Sequence, residues 1–259
     1  MFIIDLIQRR LLNSTLLKGG EQSKPTITAD HPIVIVGGSH SAWAAAYNFI
    51  DKLTETFDFE EGSIIIMHRS PIRMYYATLQ EAMDAGYTVD PVNDVCPVTG
   101  RVNRYGGLRY IVNTLAQQVV LSGQEKRICT KMLLGGNSNS SDVVSVLSSA
   151  SLIVAAIGYA ARVPQLFDPR GKQMNLLSKF GQLTTNADGQ CSDSNGTLLP
   201  DILAYGLGAG QFTNPEVGGE SSFAGRVDGV WLYMNDMGKV LLRTLTNDDE
   251  PETKKEEEA

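Results

Sequence analysis

The sequence predicts an α/β fold, a parallel sheet with helices packed on it. Three observations predict it. Residues 33–42 read Ile-Val-Ile-Val-Gly-Gly-Ser-His-Ser-Ala, a β-branched run turning through glycines into a helix. Ser63–Met67 is a second short apolar run, of the kind that forms strands buried on both faces. Leu152–Ile157 and Ile202–Tyr205 are further apolar runs, and each delivers glycine to its carboxyl end, at Gly158 and at Gly206 and Gly208.

The elements follow in order. Ile3, Ile4, Ile7, Leu11, Leu12 and Leu16 recur at helical spacing over residues 1–18, and the polar stretch 19–32 reads as a connector. A strand over 33–37 leads to a helix from about Ser41 to Leu53, where Trp43, Ala46, Tyr47 and Ile50 share one face. With the strand over 63–67 this makes a βαβ unit. Residues 71–107 show no strong period and are rich in Pro, Gly, Asp and Arg. Such a stretch inside a compact domain is a functional loop or hides undetected elements. Leu108, Ile111, Leu115 and Val119 restore helical spacing over 108–121. Residues 135–141 form a Gly/Asn/Ser loop, followed by helical spacing at Val143, Val144 and Leu147. A hairpin is expected near 182–196, and a last amphipathic helix from about Ser221 to Leu245. The tail 247–259 carries nine charges in thirteen residues and reads as disordered. The expected organisation is therefore an N-terminal helix and connector (1–32), a nucleotide-binding domain (33–150), a second α/β part (151–246) and the acidic tail (247–259).

Composition narrows the function class. A chain of 259 residues, 42% hydrophobic, can bury a substantial core. A net charge of −7 with no basic stripe argues against nucleic acid as a partner. Cys96, Cys129 and Cys191 lack C-x-x-C spacing, which points away from a disulfide framework or a zinc site. No apolar stretch reaches the ~18 residues of a membrane span. The opening run 2–7 is too short for a signal peptide, and its basic residues follow it. A mitochondrial presequence is the alternative, since Asp5 is the sole acid before Glu21, but the expectation is a cytoplasmic protein.

The glycine turn carries most of the functional reading. A strand ending in Gly37-Gly38 can reverse tightly, and the helix after it aims unpaired amides and its positive dipole end at a pyrophosphate. The dinucleotide fingerprint is G-x-G-x-x-G. Here Gly37 and Gly38 fill the first two places, Ser39 replaces the second glycine and Ala42 the third. His40 can donate to phosphate or ribose, or cap and pack the turn; Ser41 completes the segment. The end of the next strand is the second informative place. An acid there bonds the ribose 2′-hydroxyl of NAD, whereas arginine accommodates the 2′-phosphate of NADP. Arg69 and Arg73 stand there with no Asp or Glu between, so NADPH is the expected cofactor. Arg69 lies 32 residues after Gly37. The usual spacing is ~20, so an insertion is expected around 56–62. His31 and His68 read as ordinary turn and strand-end residues.

Taken together these segments resemble the flavin-dependent N-hydroxylating monooxygenases, the ornithine and lysine hydroxylase group, and their FAD/NAD(P)-binding relatives. Gly37, Gly38, Ser39, His40, Ser41 and Ala42 match that group's G-x-G-x-S-A nicotinamide motif, with Ser in place of the middle glycine. Ala156-Ile157-Gly158-Tyr159 matches its Ala-Thr-Gly-Tyr motif with Ile for Thr, and Asp201–Gly208 looks like its late flavin-contacting strand. His68–Pro71 and Cys96–Arg101 also look like segments of these relatives. The resemblance covers roughly residues 30–245 and rests on motif order.

It implies a Rossmann-like doubly wound parallel sheet of the two-dinucleotide-binding-domain flavoprotein type, incomplete at its N-terminus because no FAD motif precedes residue 37. It also implies that residues 33–150 are the NAD(P)-binding domain and 151–246 the C-terminal part of a FAD-binding domain, with FAD and NADP as cofactors, Gly158, Tyr159, Gly206 and Gly208 on the flavin side, and a small-molecule substrate. Hydride would pass from NADPH to flavin, with oxygen activation to follow. A homo-oligomer or a partner chain could complete the flavin site. A second reading is an inactive homologue serving as a binding or assembly subunit. No residue constellation demands a side-chain catalyst.

Overall fold

The computed structural model describes residues 24–133, 141–158, 165–179, 182–186, 188–205, 218–223 and 237–246. The expected N-terminal helix and the acidic tail lie outside the described residues. The chain divides into two compact units, 1–158 and 159–259.

The first unit is built on a four-stranded parallel sheet. Its first small strand, β1 (Thr26–Ile27), pairs in parallel with β3 (Asp58–Phe59) beside the main sheet. The main sheet comprises β2 (Ile33–Val36), β4 (Ile64–His68), β5 (Ile128–Met132) and β6 (Leu152–Ala155), in the spatial order β5-β4-β2-β6. Numbered by first appearance in this sheet, that is 3-2-1-4, the order of a mononucleotide-binding half with one strand across the reversal. Register places Ile33 beside both Ile64 and Leu152, and Val36 beside both Met67 and Ala155.

Alternation along the central strands explains the layers. Side chains two apart share a face. Ile33, Ile35, Ile64 and Ile66 are fully buried in one cluster with Trp43, Ala46 and Phe49 of α1 (His40–Lys52). Val112 and Leu115 of α3 (Tyr110–Ala116) join the same cluster. Val34 and Met67 face the other way, against Val143 and its neighbours on α4 (Ser141–Ser149). Both faces of the sheet are therefore covered, which is why β2 and β4 read as uninterrupted apolar runs.

Three sequence expectations shift. Strand β5 was not expected. It is an edge strand, and Cys129, Thr130 and Lys131 break the apolar run that marks a doubly buried one. The helix expected over 108–121 begins at Tyr110, and its last turn, Gln117–Leu121, widens to π geometry. The stretch 71–107 is ordered. It contains the short α2 (Leu79–Asp84), capped by the Thr78 hydroxyl, which accepts from the Glu81 amide at 3.1 Å. Isolated bridges Met74↔Leu108 and Tyr76↔Val102 tie its ends together. Burial pushes the Tyr76 phenol up to about 12 and also raises that of Tyr87. Both hydroxyls stay neutral, and the Tyr87 hydroxyl donates to the Ile72 carbonyl at 3.2 Å while accepting from Asn103 Nδ2.

The second unit, among its described residues, is mostly short antiparallel pairs: β7 (Leu166–Phe167) with β8 (Gln173–Met174), and β9 (Ser178–Lys179) with β10 (Gln182–Leu183). The longest pair is β11 (Gln190–Ser192) with β12 (Leu198–Leu203), so the late strand begins earlier than the expected 202. Residues 221 and 222 form a turn, α5 (Met237–Thr246) covers the end of the last expected helix, and residues 224–236 of it lie outside the described residues. No helix among the described residues is long and apolar enough to cross a membrane.

Candidate nucleotide site

The candidate site lies at the carboxyl end of β2, where the neighbours on either side, β4 and β6, are reached by connections running in opposite directions. In open α/β sheets ligands bind outside strand ends at such a switch point. Gly37 leaves β2 with φ +140° and donates its amide to the Met67 carbonyl at 2.8 Å. A Cβ placed on it would lie 2.2 Å from the Ala156 carbonyl oxygen, so both conformation and space demand glycine. A Cβ on Gly38 would lie 2.7 Å from the Cβ of His68. The backbone thus passes between the ends of β6 and β4 through a gap no side chain fits.

Ser39 then caps α1. Its φ of −106° is an ordinary extended value, which explains how serine can stand where the fingerprint has glycine. Ser39 and Ser41 are exposed, and the Ser39 side chain makes no capping bond, while its carbonyl accepts from Ala42 and Trp43 amides at 3.0 and 3.3 Å. The first turn of α1 therefore presents amides without a side-chain cap, the arrangement that suits an anion. Ala42 is fully buried, and its methyl lies in the cluster that seats α1 on the sheet.

His40 turns away from the open side of the turn to a structural partner. Its Nε2 accepts the backbone amide of Arg109 at 3.1 Å. Arg109 is itself buried, its guanidinium lying 4.5 Å over the Tyr75 ring and donating to the Arg104 carbonyl. The glycine turn is thereby joined to the 69–109 segment. Sixty-nine residues separate the two partners, so no local pattern in the sequence could signal the bond.

At the end of β4, Arg69 is exposed and Arg73 half-buried, with buried Ile72 between them. The Arg73 carbonyl accepts the Leu108 amide at 2.8 Å. Both arginines thus follow the strand adjacent to the glycine turn, as the sequence places them. Residues 53–62, where the spacing asks for extra chain, form a turn, β3 and a second turn. Gly158 has φ +96°, and a Cβ added there would meet nothing within 4 Å, so its conformation is what favours glycine. Tyr159, Gly206 and Gly208 lie outside the described residues. Among the described residues no three His, Cys, Asp or Glu side chains converge as a metal site.

Over 222 residues the chain is 34% identical to the CMP-5'-(3-aminopropyl)phosphonate hydroxylase of Streptomyces rubellomurinus (strain ATCC 31215). The chain is homologous to a hydroxylase. The match covers 85% of this chain and 51% of the relative, so the chain spans about half the relative's length. No family model and no solved structure matches the chain.

The site fits a dinucleotide at the phosphates. Gly37 and Gly38 let the turn pack between Ala156 and His68, and the uncapped first turn of α1 beyond them offers the free amides that suit a pyrophosphate.

Proposed function

We propose that the chain binds NADPH at the Gly37–Ala42 turn and acts as a flavin-dependent oxidoreductase of the N-hydroxylating monooxygenase kind. The observation that carries this reading is the uncapped first turn of α1, reached through the tight Gly37-Gly38 turn and set at the reversal of a 3-2-1-4 parallel sheet. The hydroxylase relative supports the reaction class. When bound, the nicotinamide and the flavin would supply the reducing equivalents and the oxygen chemistry.

The chain's own groups position and select. Gly37 and Gly38 let the strand turn tightly between Ala156 and His68, and α1 directs its first-turn amides and dipole at the pyrophosphate. Arg69 and Arg73 offer guanidinium groups to a 2′-phosphate. Gly158, Tyr159, Gly206 and Gly208 belong to the flavin side in this reading. The relative is named for a substrate bearing an aminopropyl group, and for this chain we assign a small molecule with a primary amine as the class to be hydroxylated.

Absorbance of the purified protein, followed by NADPH-dependent reduction of added FAD, tests the reading. A yellow protein, or flavin bleaching that requires NADPH, is expected. A colourless protein with no thermal shift on adding NADPH overturns it and leaves a binding or assembly role.

A further inference from the structure

The end of β4 holds a polar side chain that the arginine reading does not use. His68 is its last residue and is only 7% exposed. Its Cβ and Cγ lie 2.7 and 3.6 Å from where a side chain on Gly38 would begin, so the ring owes its place to the bare backbone of the glycine turn. Nδ1 lies 2.8 Å from the Ser70 carbonyl oxygen. A carbonyl oxygen only accepts, so Nδ1 carries a proton, and in the neutral ring Nε2 holds the lone pair. Among the described residues nothing bonds that Nε2. The position is the one at which a dinucleotide fold reads the ribose, and no Asp or Glu occurs from residue 62 to residue 80 to do so.

We infer that His68 reads the cofactor ribose and that its charge state sets the choice between NADPH and NADH. The inference rests on the nucleotide site proposed above. With the ring neutral, Nε2 accepts from a 2′-hydroxyl, the task an acid performs in NAD sites. With the ring protonated, Nε2 becomes a charged donor and joins Arg69 in holding a 2′-phosphate. Preference for the phosphorylated cofactor therefore rises as pH falls.

The charged neighbours are few. Arg69 and Arg73 follow on the same segment. On the turn into α1 stands His40, committed through Nε2 to the Arg109 amide. On β5, where Met132 pairs in register with His68, the nearest charge is Lys131, 3.8 Å from the Asp142 carboxylate. Strand β2 contributes none.

Calorimetric titration of the full chain with NADP+ and with NAD+, at intervals from about pH 5.5 to about pH 8, tests the inference. The 2′-phosphate loses charge near pH 6, which by itself weakens NADP+ binding on acidification. A wild-type preference that instead rises, by roughly tenfold for one charge-assisted hydrogen bond, is the expected result. His68→Gln keeps a polar side chain without the charge change, and its preference should fall on acidification. A wild-type profile that falls, or a variant profile parallel to the wild type, overturns the inference.

Should the variant not fold, the imidazole proton resonances of the wild-type protein decide. Those of His68 must move on adding NADP+, and resonances left in place by a saturating amount overturn the assignment. If neither dinucleotide binds the wild type at any pH, it is the nucleotide-site reading that fails. If both bind with a preference independent of His68, only the ribose-reading role fails.

Discussion

At Gly37 two independent demands coincide. A backbone φ of +140° disfavours any L side chain, and a methyl would sit 2.2 Å from the Ala156 carbonyl oxygen, which belongs to backbone and cannot swing aside. Strain of roughly 1–2 kcal/mol from the conformation adds to roughly 1–3 kcal/mol of overpacking. Gly37→Ala should therefore lower unfolding stability by about 2–5 kcal/mol in urea titration with an unchanged m-value. A loss under about 0.5 kcal/mol, the range of a neutral surface change, would mean that the turn is looser than described. Arg69 permits a cleaner functional test because it is exposed and its loss leaves the core intact. Arg69→Ala should weaken NADPH about tenfold, the worth of one charge-assisted contact, and leave NADH unchanged. Equal losses for both cofactors would remove Arg69 from the 2′-phosphate. The glycines were readable because only glycine satisfies such a turn. The His40 bond to Arg109 was not, because its two ends meet through tertiary packing alone.

Among the elements, what the sequence disclosed follows from burial. Strands β2 and β4, covered on both faces, announce themselves through continuous apolar runs; β6 does so too, although it is an edge strand with Ile153 exposed. Helix α1 shows through a 3.6-residue stripe in which Trp43 and Ala46 are buried on the sheet and Tyr47 and Ile50 are half-buried against the same cluster. Strand β5 hides because Cys129, Thr130 and Lys131 break its apolar run. The 69–109 segment hides because its order comes from pairings such as Tyr76 with Val102, which no local period encodes. Strand β5 also shows how a local ion pair places an element. Arg127 grips Glu125 through two nitrogens, at 2.8 and 2.6 Å, and its carbonyl receives the Ile64 amide at 2.9 Å just as β5 starts. The Arg127 side chain holds the Glu125 carboxyl below its ordinary 4.5. A depressed carboxyl pKa stabilises the fold above the unfolded value and loses that effect as pH falls through the folded one. Glu125→Gln should cost about 0.5–1 kcal/mol at pH 7, the range of a partly exposed pair. The gap between variant and wild type should close on acidification below pH 4.5. Denaturant midpoints across that range check it; a gap that stays constant at acid pH would show that the pair contributes nothing through its charge.

For the molecule as a whole, the division at Gly158 falls close to the boundary between the residues proposed for the nicotinamide and those proposed for the flavin. All four strands of the parallel sheet, both faces of its core, the glycine turn, His68, Arg69 and Arg73 lie within residues 24–158. The residues assigned to the flavin side lie at the end of that span and beyond it. A segment that contains its own sheet and core is expected to fold as a unit. Residues 24–158 expressed alone should then unfold cooperatively and show thermal stabilisation by NADPH that grows with ligand concentration, as binding to the native state requires. The same fragment should take up no FAD, whereas the full chain should. Circular dichroism with denaturant and a thermal-shift titration with each cofactor separate the outcomes. A fragment that folds yet ignores NADPH would place the nicotinamide elsewhere. One that binds FAD in place of NADPH would instead make the Gly37 turn a flavin site, with the ribose-reading end of β4 serving the adenosine half of that cofactor.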